Sequence, residues 1–201
     1  MAKNLLIIFY RNPELGKVKT RLAATLGDAN ALAIYLKLVN HTRTITEKLQ
    51  VNKVVYYSHF IDKEDSWDNT NYKKSLQVGD TLGEKLEHAV AVGFKEGYSA
   101  VAVIGSDCFE LNQNILEEAF KALSINDAVI GPAKDGGYYL LGLRKFVPEI
   151  FRDKKWSTAS VASETLKDFE EMGLKYQQLP MLTDVDVEED LPQELLLKIK
   201  K

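Results

Sequence analysis

Short runs of apolar, β-branched residues recur along this chain, separated by stretches with helical periodicity, and that alternation restricts the fold more than any other feature. Residues 4–10 (NLLIIFY) are almost continuously apolar, as expected of a strand covered on both faces in a parallel sheet. Similar runs with polar or glycine edges lie at 53–58 (KVVYYS), 100–105 (AVAVIG) and 127–131 (DAVIG), with a weaker one at 174–179. Helical patterns fill the intervals at 29–49, with Leu32, Tyr35, Leu36, Val39 and Leu49 on one stripe, and at 82–96 and 112–123. Residues 138–143 follow the run ending at Gly131 with no helix between, so the sheet should be mixed. Helices at 158–172 and from Leu191 onward complete a three-layer α/β sandwich with a mostly parallel sheet.

With 201 residues and no repeat, low-complexity tract or flexible linker, the sequence is expected to form one domain over 1–201. The polar stretch 61–74, with Trp67 and Tyr72 inside it, reads as a surface excursion. Lys and Arg total 26 against 29 Asp and Glu, a net charge of -3, which argues against nonspecific nucleic-acid binding. The single cysteine, Cys108, can form neither an internal disulfide nor a cysteine-rich zinc cage. It reads as a buried structural thiol. The first apolar run is too short to span a bilayer, so no transmembrane segment is expected and the cytoplasm is the expected location.

Four segments could carry chemistry. Arg11-Asn12-Pro13-Glu14-Leu15-Gly16-Lys17-Val18-Lys19-Thr20-Arg21 follows the first strand and holds four cations in an acidic chain. Ligands of open α/β sheets bind beyond the carboxyl ends of strands, so these cations would meet a phosphate or diphosphate there, with Gly16 allowing close backbone approach. A solvated basic loop is the plain alternative, and neither a Walker loop nor a G-x-G fingerprint is present. Gly105-Ser106-Asp107-Cys108-Phe109 ends the most apolar run and places Asp107 for a divalent metal, or else for a turn or helix cap.

Asp135-Gly136-Gly137-Tyr138-Tyr139 is a hairpin signal whose aspartate could also act as a general base toward an acceptor hydroxyl. In Asp184-Val185-Asp186-Val187, alternation puts the two aspartates on one side of an extended chain, suited to a shared cation. Asp190 with Gln193 reads as the cap of the last helix, and Thr81 with Glu84 as a capping box.

In this order the segments resemble a bacterial family of glycosyltransferase-like proteins with the GT-A, or nucleotide-diphospho-sugar transferase, fold. The shared pattern is Arg11-x-Pro13-x-x-Gly16-Lys17-Val18-Lys19-Thr20-Arg21-Leu22, then Gln77 with Leu82-Gly83-Glu84, then Gly105-Ser106-Asp107-Cys108. It continues through Gly131-Pro132-Ala133-x-Asp135-Gly136-Gly137-Tyr138-Tyr139-Leu140-x-Gly142-Leu143, Trp156-Ser157-Thr158, and Asp184-Val185-Asp186 with Glu189-Asp190-Leu191. A more distant resemblance is to guanylyltransferases of the phospholactate type.

The resemblance implies a nucleotide or nucleotide-sugar donor bound by Arg11, Gly16, Lys17, Lys19, Arg21, Gln77 and Gly83. It implies Mg²⁺ or Mn²⁺ on Asp107 and Asp186. Asp135 would be the base, and Gly136, Gly137, Tyr138, Trp156 and Thr158 would face a small-molecule acceptor. Phe109, Lys85 and Val187 stand where the family usually has proline, arginine and threonine, and the metal motif is Ser106-Asp107-Cys108 rather than Asp-x-Asp. Sugar transfer is the leading expectation. Nucleotidyl transfer onto a phosphorylated acid or sugar is the alternative, and a non-catalytic nucleotide-binding module is the third.

Overall fold

The computed structural model describes residues 3–196. The elements in chain order are β1 (Asn4–Tyr10), α1 (Thr20–Leu26), α2 (Asp28–Glu47), β2 (Asn52–Tyr57), β3 (Lys73–Leu76), α3 (Leu82–Lys95) and β4 (Ala100–Ile104). They continue with α4 (Gln113–Ala122), β5 (Ala128–Pro132), β6 (Tyr138–Leu143), α5 (Val161–Glu171), β7 (Tyr176–Gln178) and α6 (Gln193–Leu196). Short 3-10 turns occupy Pro148–Phe151 and Glu188–Asp190.

The seven strands form one sheet in the order β3-β2-β1-β4-β6-β5-β7. Every neighbouring pair is parallel except the two that β6 makes, with β4 and with β5. The mixed sheet expected from the sequence is therefore present, and its antiparallel member is the strand that follows the Asp-Gly-Gly turn.

Period-two alternation divides β1 between two cores. Leu6, Ile8 and Tyr10 face α2 and α4 through Tyr35, Val39, Leu116 and Phe120. Leu5 and Ile7 face α3 and α5 through Leu86, Val90 and Phe169. Both faces of the sheet are covered, which is why the central strands are apolar at nearly every position. A third cluster packs Leu22 of α1 and Ile34 and Leu38 of α2 against Val185, Leu191 and Leu195. That cluster holds the C-terminal segment beside the ends of β1 and β4. Among the described residues no helix is long and apolar enough to cross a membrane.

One local expectation is refined and one changes. The 61–74 stretch is a surface excursion whose residues are mostly exposed, but two aromatics anchor it to the core, Trp67 at 1% exposed and Tyr72 at 2%. Their rings pack edge-to-face at 5.0 Å, and Trp67 meets Tyr10 at 5.9 Å. A buried ion pair fastens the segment, Lys74 Nζ to Asp65 at 2.7 Å with both side chains 8% exposed, and the Tyr57 hydroxyl also donates to Asp65. The stretch ends in β3, an edge strand whose polar sequence KKSL hides it from a hydrophobicity reading. Asp190 does not cap α6 but accepts hydrogen bonds from the backbone N–H groups of Asp186 and Val187, both at 3.0 Å. The Thr81–Glu84 capping box at the start of α3 is present as read.

Because Trp67 fills a closed aromatic core, Trp67→Ala should cost about 3–5 kcal/mol of unfolding free energy in a denaturant titration. A loss below about 1 kcal/mol would place the indole outside the core.

Candidate functional site

The carboxyl ends of β1 and β4 open into a cleft of ≈ 990 Å³, at the upper end of the range for small-molecule sites. Two polar clamps fix its basic side. Asn12, 1% exposed, accepts from the backbone N–H of His59 at 3.0 Å and donates to the Phe60 carbonyl at 2.9 Å. It thereby ties the loop after β1 to the loop after β2. The Tyr35 hydroxyl accepts from Arg11 N at 3.1 Å, donates to Arg11 O at 2.7 Å and lies 3.2 Å from Ser106 Oγ. Burial raises its pKa to about 12, so it remains a neutral donor. Neither clamping role carries a sequence signal: Asn12 is isolated, and the spacing of Tyr35 marks only the buried stripe of α2.

The loop then turns at Gly16, with φ 73°, and at Lys19, a non-glycine residue in the left-handed region with φ 47° and ψ 47°. Such a backbone costs roughly 1–2 kcal/mol and persists only where its surroundings hold it. Here the hold is electrostatic. Lys19 Nζ lies 2.8 Å from Asp107 Oδ2 and 2.8 Å from Asp186 Oδ1, and its side chain is only 7% exposed. Burial alone would lower the ammonium pKa, but the two carboxylates outweigh it and hold the pKa above the ordinary lysine value. Arg21 approaches Asp186 at 3.8 Å while staying 74% exposed. Lys17 pairs with Glu14 at 2.7 Å at the rim.

The acidic floor is built by pairing two segments distant in sequence. Cys108 and Asp184 form an antiparallel bridge, and Val185 N donates to Asp107 O at 3.1 Å. With Val185 buried, alternation turns Asp184 and Asp186 into the cleft, as their spacing suggested. Gly105 makes room for Asp107, since a Cβ there would lie 2.8 Å from Asp107 Oδ1. Asp184 Oδ1 is buried with no hydrogen-bond partner. Burial first, then the charges of Asp107 and Asp135, push its carboxyl up to about 7. Burial likewise raises the Cys108 thiol, so this sulfur is a structural group and not a nucleophile.

At the other end of the cleft, Asp135 Oδ1 accepts from Gly137 N at 2.9 Å within the turn. Tyr138 meets Trp156 edge-to-face at 6.4 Å. Thr158 Oγ1 donates to Lys155 O at 2.6 Å. Gln77 Nε2 donates to Tyr56 O at 3.0 Å, which sets its amide at the ends of β1 and β2.

The structure thus places Arg11, Lys17, Lys19, Arg21, Gln77, Asp107, Asp186, Asp135, Gly137, Tyr138, Trp156 and Thr158 on one cleft. Gly16, Gly83 and Gly136 are not on its wall. Gly16 supplies the positive φ of the turn, with Asp28 only in ordinary contact. A Cβ on Gly83 would lie 2.4 Å from Trp156 Nε1, and one on Gly136 would lie 2.0 Å from Ala159 O. Gly83 and Gly136 thus seat groups that line the cleft, Trp156 and Ala159.

Among the described residues no group of three or more His, Cys, Asp or Glu is arranged to cage a metal. Asp107 and Asp186 nevertheless share one cation already, and the buried Asp184 oxygen beside them has no partner. Such a donor set fits a divalent ion that takes its remaining ligands from water and phosphate oxygens.

Residues 41–158 match the family of uncharacterized proteins conserved in bacteria known as DUF2064. The chain belongs to that family. A crystal structure from Desulfovibrio desulfuricans G20, named a "putative nucleotide-diphospho-sugar transferase", is 33% identical with a TM-score of 0.87, covering 93% of this chain and 84% of that one. The sheet, its antiparallel β6 and the flanking helices are those of the nucleotide-diphospho-sugar transferase fold. The same fold at 10% identity is seen in CMP:2-keto-3-deoxy-manno-octonic acid synthetase complexed with CTP, with a TM-score of 0.61 over 99% of both chains. At 14% identity it is seen in the inositol-1-phosphate CTP transferase from T. maritima, with a TM-score of 0.56 over 100% of this chain and 98% of that one. No curated protein sequence matches this DUF2064 member.

Asp184 makes stability depend on pH. Between the ordinary value of 3.8 and about 7, the folded chain keeps a proton that the unfolded chain has lost. This group's contribution therefore falls as pH rises through that window. The difference in Tm between Asp184→Asn and the parent should move in the variant's favour from pH 4 to pH 8. A difference independent of pH in a thermal melt series would contradict the assignment.

Proposed function

We propose that this DUF2064 protein transfers a sugar from a nucleoside diphosphate donor to a small acceptor. The observation that carries this reading is the meeting of the basic loop after β1 with the Asp107–Asp186 pair on one cleft at the carboxyl ends of parallel strands. The 33%-identical relative named for the same chemistry supports it.

Arg11, Lys17 and Arg21 would bind the diphosphate, for which arginine offers paired donors. Gln77, whose amide is held at the ends of β1 and β2, would meet the nucleoside. Asp107 and Asp186 would hold Mg²⁺ or Mn²⁺, which when bound supplies charge neutralisation of the departing diphosphate. In the reaction the bond between the sugar's anomeric carbon and the phosphate oxygen breaks. The nucleoside diphosphate leaves, and the acceptor hydroxyl gives its proton to Asp135 as the new glycosidic bond forms. Tyr138, Gly137, Trp156 and Thr158 form the acceptor wall, and the apolar faces of the aromatic pair exclude water there. Nucleotidyl transfer is the second reading, favoured by the same fold in a synthetase complexed with CTP.

A thermal-shift panel of nucleoside mono-, di- and triphosphates and sugar nucleotides, with and without Mn²⁺, tests this directly. A donor at a hundred times its Kd adds about 2.7 kcal/mol of stability. A nucleotide sugar should raise Tm with metal present, and Arg11→Ala should weaken that binding by roughly 10- to 100-fold. Asp135→Asn should lower turnover by about 10²-fold or more while leaving the donor shift in place. A shift with triphosphates alone would support nucleotidyl transfer instead. No shift with any nucleotide would contradict both.

A further inference from the structure

The cations of the cleft do not hold their charge in the same way. Lys17 and Arg21 are 64% and 74% exposed in their side chains, whereas that of Lys19 is 7% exposed. Its ammonium sits equally close, at 2.8 Å, to carboxylates from two separate segments, Asp107 beyond β4 and Asp186 near the C-terminus. A left-handed backbone at Lys19 accompanies this placement. Without the ammonium, two like charges would share the end of the cleft, with Asp184 beside them. A divalent ion approaching those oxygens meets a cation already in place, and the two cannot occupy one position.

Lysine is also the cation best suited to leave, since its charge rides on a flexible stem and is not locked in a planar fork. Arg11 and Lys17, which line the same cleft, would gather a diphosphate within reach of that stem.

We propose that Lys19 is a displaceable internal counter-ion that keeps Asp107 and Asp186 closed to divalent metal until a bound diphosphate draws the ammonium away. Metal and nucleotide then enter together, and metal alone does not bind. The inference rests on the reading of the cleft as a diphosphate site, but its test uses Mn²⁺ with no nucleotide.

Free and bound Mn²⁺ are to be measured by electron paramagnetic resonance for the whole protein. Lys19→Met should bind Mn²⁺ at least tenfold more tightly than the parent, and adding Asp107→Asn to that variant should remove the gain. Mn²⁺ should also raise the Tm of Lys19→Met while leaving the parent unchanged. Lys19→Arg should stay indifferent to the metal. Where the methionine variant fails to fold, Lys19→Gln, which keeps polar contact with both carboxylates but no charge, gives the same reading.

Equal Mn²⁺ affinity in the parent and the neutral variants would overturn the proposal. If the parent binds a nucleotide sugar but the neutral variants gain no Mn²⁺ affinity, the role of Lys19 fails and the functional reading stands. If the neutral variants gain Mn²⁺ affinity but no form binds any nucleotide, the exclusion of metal stands and the diphosphate reading fails.

Discussion

One ammonium group holds together three parts of the chain that the sheet alone would leave apart. Lys19 joins the loop after β1, the turn after β4 and the C-terminal segment through its two 2.8 Å contacts with Asp107 and Asp186. Burying a charge is costly unless it is paired and hydrogen-bonded, and here the pairing is complete for the lysine but leaves the carboxylates in excess. The surrounding residues serve to maintain that arrangement. Gly105 clears space for Asp107, Asp190 fixes the backbone at Asp186, and Tyr35 clamps Arg11 above Ser106. The third hydrophobic cluster, with Val185 and Leu191 against α1 and α2, keeps the C-terminal segment against this junction.

The cleft that results is divided by charge and by polarity. Its basic rim comes from one continuous loop, its acidic floor from two segments paired across the sheet's end, and its far wall from an aromatic pair. Glycine has a steric role in this division. Gly83 passes close to the Trp156 indole and Gly136 close to the Ala159 carbonyl, so this wall is pinned both to the start of α3 and to the hairpin after β5. A substitution at either glycine would displace the wall itself.

Much of this was legible in the sequence because burial on both sheet faces leaves long apolar runs. β1, β2, β4, β5 and β6 all fall where such runs occur, and α3 begins at its capping box. β3 was missed because an edge strand reading KKSL has no apolar run. The burial of Trp67 and Tyr72 is hidden in the sequence because their neighbours are charged, whereas the Asp65–Lys74 pair and the Tyr57 hydroxyl neutralise part of that charge locally. Asp190 matched a capping motif by spacing, yet its carboxylate turned back to the Asp186 backbone. In the site, types and spacings indicated which charges converge. They could not show that Lys19 faces carboxylates rather than open cleft, nor that Asn12 and Tyr35 position the loop, because those contacts exist only after the sheet brings distant segments together.

In the proposed reaction a nucleoside diphosphate lies between the basic loop and the Asp107–Asp186 pair. A crystal structure with a nucleoside diphosphate and Mn²⁺, recorded with anomalous scattering from the metal, tests it most directly. The expected result is diphosphate density against Arg11 and Lys17, an anomalous peak at Asp107 and Asp186, and Lys19 turned from the carboxylates toward the phosphates. Diphosphate bound elsewhere on the protein, with Lys19 still between Asp107 and Asp186, would contradict the account.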